Sequence, residues 1–163
     1  MTLKKLKLFG FIGVVTIVGI VGVIQFTRIS MNRWDSRIIE MCEEEGGAVI
    51  NEIVTLTQEE FDAYGPIQGV IPIPSEAASH LYQLPYFNRR TTTVINENDP
   101  RVVRLNFLVI RKSDEREMAS SVSFARISED SWLGIRYDSG FSCANVEGVT
   151  LDISPQLFEI IGN

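Results

Sequence analysis

The sequence predicts an α+β domain carried behind one apolar N-terminal segment. Three observations predict it. Nineteen successive residues from Leu8 to Phe26 carry no charge. Two long stretches with alternating β-branched residues, 101–112 and 117–127, are joined by a short turn. Helix-stop and helix-start chemistry stands at Gly46-Gly47, Thr57 and Ser154-Pro155. The expected architecture is a transmembrane helix, then an antiparallel sheet of about four strands with helices packed on one face.

The apolar run comes first in chain order. At 1.5 Å per residue it makes a helix of roughly 28 Å, close to the ~30 Å hydrocarbon thickness of a bilayer. Lys4, Lys5 and Lys7 precede it, and no Ala-x-Ala cleavage pattern or lipoprotein-type cysteine follows Gly22-Val23-Ile24-Gln25-Phe26. An uncleaved signal-anchor is therefore expected, the alternative being a cleaved secretory signal. Arg28, Arg33 and Arg37 on the far flank nearly balance the three lysines, so charge alone does not orient the span. The basic tail 1–7 and the cysteine usage place the remainder outside the cytosol. Gly10, Gly13, Thr16, Gly19 and Gly22 recur every three residues, a spacing that winds around a helix and does not line one side.

Beyond the anchor, 27–46 keeps a helical rhythm in Ile29, Trp34, Ile38, Met41 and Cys42, and Gly46-Gly47 ends it. The extracytoplasmic domain then covers 47–163. Ala48–Leu56 reads as a strand. Thr57 with Glu60 three residues later reads as a capping box opening a short helix to Tyr64. Four prolines between Pro66 and Pro85 exclude a central strand there. Thr91–Glu97, Arg101–Lys112 and Glu117–Ile127 form an antiparallel meander. Val103, Leu105, Phe107 and Val109 share one face of the second strand; Met118, Ser120, Val122 and Phe124 share one of the third. Residues 128–141 read as a loop, and Ser154-Pro155 opens a last helix with Leu157, Phe158, Ile160 and Ile161 turned to the sheet.

Charge and cysteines narrow the setting. All 21 acidic residues but only 11 of the 15 basic ones lie after Ser30, so Met31–Asn163 carries 11 − 21 = −10 formal charges. Phosphate backbones and anionic lipid surfaces would repel this domain, which excludes nucleic acid as a main partner. Glu43-Glu44-Glu45 is read as a solvated face, with a dock for a basic partner as the alternative. The two cysteines, Cys42 and Cys143, stand near the two ends of the domain. A bond between them would close a loop of about 100 residues, stabilising by ~4–5 kcal/mol in the chain-entropy picture, and requires an oxidising compartment. The alternative is two unrelated buried thiols.

No set of residues points to catalysis, a metal or a cofactor. His80 is the single histidine, with Ser75 and Ser79 nearby in sequence but no Gly-x-Ser-x-Gly elbow. Asp138-Ser139-Gly140 lacks the further ligands of a calcium loop, and Glu129-Asp130 has no assignable acid and base roles. The segment Pro66–Pro74 holds Ile67, Val70, Ile71 and Ile73 around its prolines. These four side chains either plug the core or contact a partner. Tyr82–Phe87 and Trp132–Phe141 are the aromatics available to line a ligand cleft.

Cys42-x-x-x-Gly46-Gly47, Glu52-x-Val54-x-Leu56, Arg111-x-x-Asp114 and Phe141-Ser142-Cys143 together resemble a pattern of small bacterial envelope proteins of unknown function. In these a signal or anchor precedes a Cys-to-Cys domain. The resemblance implies a bacterial envelope setting and two paired cysteines. The expectation is a single-pass inner-membrane protein with its C-terminal domain in the periplasm. It would act without catalysis or cofactor as an accessory to another membrane or envelope protein. A module binding a lipid or cell-wall fragment, and a carboxylate-dependent hydrolase, are the alternatives.

Overall fold

A computed structural model describes Gly19, Gly22, Gln25 and residues 29–98, 100–127 and 140–161. The run Leu8–Phe26 lies outside these residues except at its three named positions, and among the described residues no helix is long and apolar enough to cross a membrane. The chain divides into two compact units, Met1–Ser36 and Arg37–Asn163. In the first, residues 29–36 are helical, and the helix (α1) continues to residue 45 in the second.

Within the second unit α1 buries Ile38 and Cys42, one turn apart on one helix face. Gly46 closes it, its N–H donating to the Cys42 carbonyl at 3.0 Å. A Cβ on Gly46 would stand 2.5 Å from that oxygen, and Gly47 takes φ +114°, so both glycines are needed.

Among the described residues the main sheet has five strands. β1 (Gly47–Ile50), β5 (Glu117–Ile127), β4 (Arg101–Arg111) and β3 (Tyr86–Asn96) lie side by side in that order, all antiparallel. β6 (Phe141–Ser142) shares the outer edge of β5 with β1: β1 pairs with Ala119–Val122 and β6 with Ala125–Arg126. The gap between them is closed by sulfur. The Phe124 N–H donates to Cys143 Sγ at 3.1 Å. Cys143 is bonded to Cys42 with the Cα atoms 5.4 Å apart, so the disulfide ties the end of α1 to the 3-10 turn Cys143–Asn145 that follows β6.

Three sequence-based boundaries and one face assignment change, the first boundary being β3, which begins at Tyr86 and not at Thr91. The strand expected over Ala48–Leu56 is two strands, β1 and β2 (Val54–Thr57), serving different sheets. The break has a cause in β5. A bulge places Met118 between the pairs Val109–Ala119 and Ile110–Glu117, and its carbonyl accepts both the Asn51 and the Glu52 N–H. The chain is thereby turned off the sheet. The same bulge puts Met118 in the core with Val109 and Ala119, not on the Ser120–Phe124 face. Finally, the expected C-terminal helix is one turn, α3 (Ser154–Leu157), followed by β7 (Phe158–Ile161), which runs parallel to β2. β-branched Ile160 and Ile161 suit a strand better than a helix, and β2 supplies the partner.

The capping box behaves as expected. α2 (Gln58–Ala63) starts at Thr57, whose hydroxyl accepts the Glu60 N–H, while the Glu60 carboxylate accepts the Thr57 N–H at 2.8 Å. The core lies on one sheet face, with Tyr86, Val109 and Ala119 packed against Leu56, Ile71, Ile153 and Leu157. Arg104 projects from the opposite face, since it is an odd number of residues from Val109 along β4, and it pairs with Glu45 of α1 at 3.4 Å. The elements therefore cover both faces of the sheet, not one, because one face alone leaves Val102 and Phe124 without cover.

Candidate functional site

The Pro66–Pro74 segment folds into a tight hairpin. Ile67 and Val70 exchange both backbone hydrogen bonds, at 2.9 and 3.0 Å, around Gln68 (φ 52°) and Gly69 (φ 80°). Two consecutive left-handed residues make the primed turn that matches strand twist. From this hairpin the chain drops onto the sheet. The Ser154 hydroxyl donates to the Ile71 carbonyl at 2.8 Å, the Asn88 side-chain amide to the Ile73 carbonyl at 2.6 Å, and the Asn88 N–H to the Pro74 carbonyl at 2.7 Å.

These anchors separate the four candidate residues. Ile71 is 1% exposed and belongs to the core; Ile73 is half-buried against it. Val70 is 39% and Ile67 65% exposed at the hairpin. Ile67 and Val70 remain available for contact, and Ile71 is not.

The segment forms one wall of a groove of about 550 Å³. Val70–Ile73 and Leu151–Pro155, joined through the Ser154–Ile71 hydrogen bond, line it together with Arg90, Leu105, Phe107, Ser121 and Ser123, which form the floor on the sheet. The floor residues all project from the core-bearing face. They form two rows across the strands: Arg90–Phe107–Ser121, and Leu105–Ser123 with Thr92 next in register on β3. The cavity has a residue-level origin. β4 contributes large Leu105 and Phe107, and β5 sets small Ser123 and Ser121 directly beside them. Serine leaves unfilled the volume a leucine or valine would take.

The groove is mainly apolar, with Arg90 on the β3 side and Asp152 on the wall formed by the C-terminal segment. Both are exposed, and among the described residues neither side chain has an ion-pair partner. The neighbouring Arg89, in contrast, is held by Glu76 through two hydrogen bonds of 2.8 and 2.6 Å. That guanidinium holds the Glu76 carboxyl below the usual carboxylate range.

The sequence did not point to Leu105, Phe107, Ser121, Ser123 or 151–155 as groove residues. The serines in an otherwise apolar strand were the available signal. Of the aromatics expected at a cleft, Tyr86 and Phe87 are buried, and Tyr86 meets Phe158 edge-to-face at 5.8 Å. Burial pushes the Tyr86 phenol up. Tyr82 is exposed and does not line the groove. Trp132, Tyr137, Asp138 and Glu129-Asp130 lie outside the described residues. His80 is exposed on a 3-10 turn, Glu76–Leu81. Among the described residues no group of His, Cys, Asp and Glu is placed to hold a metal ion.

Glu52, Arg111 and Asp114, which stand in separate short motifs of the sequence, meet in space, and what they build is scaffold. Arg111 grips both Asp114 oxygens, at 3.0 and 2.9 Å, and reaches Glu52 at 2.9 Å; Arg116 reaches the other Glu52 oxygen at 3.4 Å. The two carboxylates hold Arg111 charged well above its ordinary range, and Asp114 is correspondingly lowered by Arg111. This cluster pins the bend between β1 and β2 to the β4–β5 turn. The cysteine motifs meet as the disulfide.

No family model matches the chain, and neither curated proteins nor solved structures show a significant match to it.

Proposed function

We propose that this chain is a membrane-anchored accessory protein of the bacterial envelope, held in the inner membrane by Leu8–Phe26. Its disulfide-stapled domain would lie in the periplasm and act by binding a partner protein, not by catalysis. The observation that carries the reading is the groove beside the Ile67–Val70 hairpin: a preset apolar surface, partly exposed, on a segment already ordered by backbone bonds. A preordered segment loses little entropy on docking. The Ser154 hydroxyl at the groove is committed to the Ile71 carbonyl, which supports a structural role for it. The disulfide supports the oxidising side of the membrane.

The test is a photo-crosslinking residue placed at Val70 in full-length protein in intact cells, with Glu59 on α2 as the control position. One discrete protein adduct at Val70 and none at Glu59 is expected. No adduct at Val70, or the same adducts at both positions, would overturn the reading. Intact mass of membrane-extracted protein checks the anchor, since a mature chain beginning near Thr27 would mean cleavage.

A second reading is favoured by the groove's volume, which falls within the range of about 300–1,000 Å³ typical of small-molecule sites. In it the occupant is an envelope lipid or cell-wall fragment. Native mass spectrometry of the detergent-extracted protein decides it: a retained small molecule, lost on Ser123→Leu, supports this reading over the first.

A further inference from the structure

β3 is the outermost strand of the sheet, and its edge is only partly covered. The Asn88 N–H donates to the Pro74 carbonyl, and Ser75 bridges Asn88 in parallel. The Asn88 backbone groups therefore point away from β4. In an antiparallel strand this orientation recurs every second residue, and the β3–β4 register runs unbroken from Tyr86 to Val94. The N–H and C=O groups of Arg90, Thr92 and Val94 thus face outward. Among the described residues nothing pairs with them. Arg89 to Thr93 are all exposed, so the strand is open on both faces as well as along its edge.

The free edge and the groove meet at one residue. Arg90 presents outward backbone groups and its side chain lines the groove. A strand added at the usual spacing of about 4.8 Å would set its side chains beside the two floor rows. A side chain opposite Thr92 would lean over that small residue towards Leu105 and Ser123. One opposite Arg90 would meet a guanidinium without an ion-pair partner. Asp152 also lines the groove, so an acidic group is favoured beside Arg90 and disfavoured beside Asp152.

We propose that the β3 edge at Arg90, Thr92 and Val94 is a strand-addition site for an extended segment of the partner protein. An apolar side chain of that segment would sit beside Thr92, at the mouth of the groove that Leu105 lines, and an acidic one two positions away would pair with Arg90. Backbone bonds would supply affinity, and the groove with Arg90 would supply selectivity. The inference rests on the binding role proposed above and deepens it.

The test uses the full chain in detergent and end-capped peptides of about six residues, the common strand length. Thr occupies alternate positions; the others carry Leu and, two residues away, Glu, Gln or Lys. Binding is read by isothermal titration. The Leu/Glu peptide is expected to bind at least tenfold more tightly than the Leu/Lys one. Arg90→Glu, a surface change that leaves the ladder intact, is expected to reverse that order. Thr92→Pro removes an outward N–H and none used by β4, and is expected to weaken the Leu/Glu peptide at least tenfold. If no peptide binds, or if neither variant changes affinity or preference, strand addition is overturned. The Val70 adduct would then persist in Thr92→Pro, and the broader binding role would stand without it.

Discussion

Ile71 and Ile67 lie four residues apart in one proline-rich segment and have opposite surroundings. Ile71 is 1% exposed with its carbonyl bonded to Ser154, and Ile67 is 65% exposed. Ile71→Asp is expected to destabilise the domain by more than about 3 kcal/mol, through lost burial and an unpaired buried carboxylate. Ile67→Asp should stay within about 0.5 kcal/mol. Thermal melts of the two variants check this; equal effects would contradict the described hairpin. Gly46 is the second instructive residue. Gly46→Ala sets a Cβ against the Cys42 carbonyl at 2.5 Å, and no flexible side chain is present to yield. A loss of about 2 kcal/mol is expected, visible as a lower melting temperature. Carboxylates dominate the acid response. Glu60 is lowered by the Thr57 N–H, Glu76 by Arg89 and Asp114 by Arg111. A carboxyl lowered in the folded state stabilises fully above its unfolded value and loses that contribution as pH falls through the folded one. Stability should therefore be flat near neutrality and decline as the pH drops below the ordinary carboxylate range. In a pH series of denaturant melts, Asp114→Asn should flatten that decline.

Among elements, the C-terminal segment is the sharpest test. As a helix, Phe158, Ile160 and Ile161 would all turn inward. As β7, Phe158 packs on Tyr86, while Ile160 and Ile161 are 41% and 52% exposed. Phe158→Ala is accordingly expected to lower stability by about 2 kcal/mol, with Ile160→Asn close to neutral. A large loss from Ile160→Asn would restore the helix. The bend between β1 and β2 depends on Met118 and on the Glu52–Arg111–Asp114 cluster, whose groups are partly solvated. Such pairs contribute at most about 1 kcal/mol each, so the cluster's role is to set the direction of the chain more than to stabilise it.

At the scale of the whole molecule the disulfide and the charge matter most. Cys42–Cys143 spans 101 residues and is buried at both ends. Reduction is expected to cost up to about 4 kcal/mol in the unfolding free energy, read from denaturant melts with and without reductant. Thiol-blocked protein should migrate differently on reducing and non-reducing gels; two free thiols in protein prepared without reductant would contradict the pairing. The −10 charge after Ser30 also bears on partner choice, since a cationic partner would be steered towards the domain and the effect would weaken with salt. Only at Arg90 does the proposed binding edge invert that sign.

Local chemistry legible in the sequence reappears where short-range physics suffices. Thr57 and Glu60 are within one turn, Gly46-Gly47 ends its own helix, and the β4–β5 hairpin needs only alternation and a turn. The cysteine pairing was also readable, because a chain with two cysteines can form only one intramolecular pair. What the sequence by itself determined is therefore the α+β class, the staple and the elements governed by neighbours a few residues away. Tertiary structure decided the rest. Whether 158–161 is helix or strand depends on β2, about a hundred residues earlier, offering open backbone groups. Whether Ile71 or Ile67 is buried depends on Ser154 holding the chain against the core. The groove exists because serines on one strand happen to face Leu105 and Phe107 on the next, with two distant segments closing its sides. Each of these is a packing relation between remote residues, whose free energy no local pattern contains.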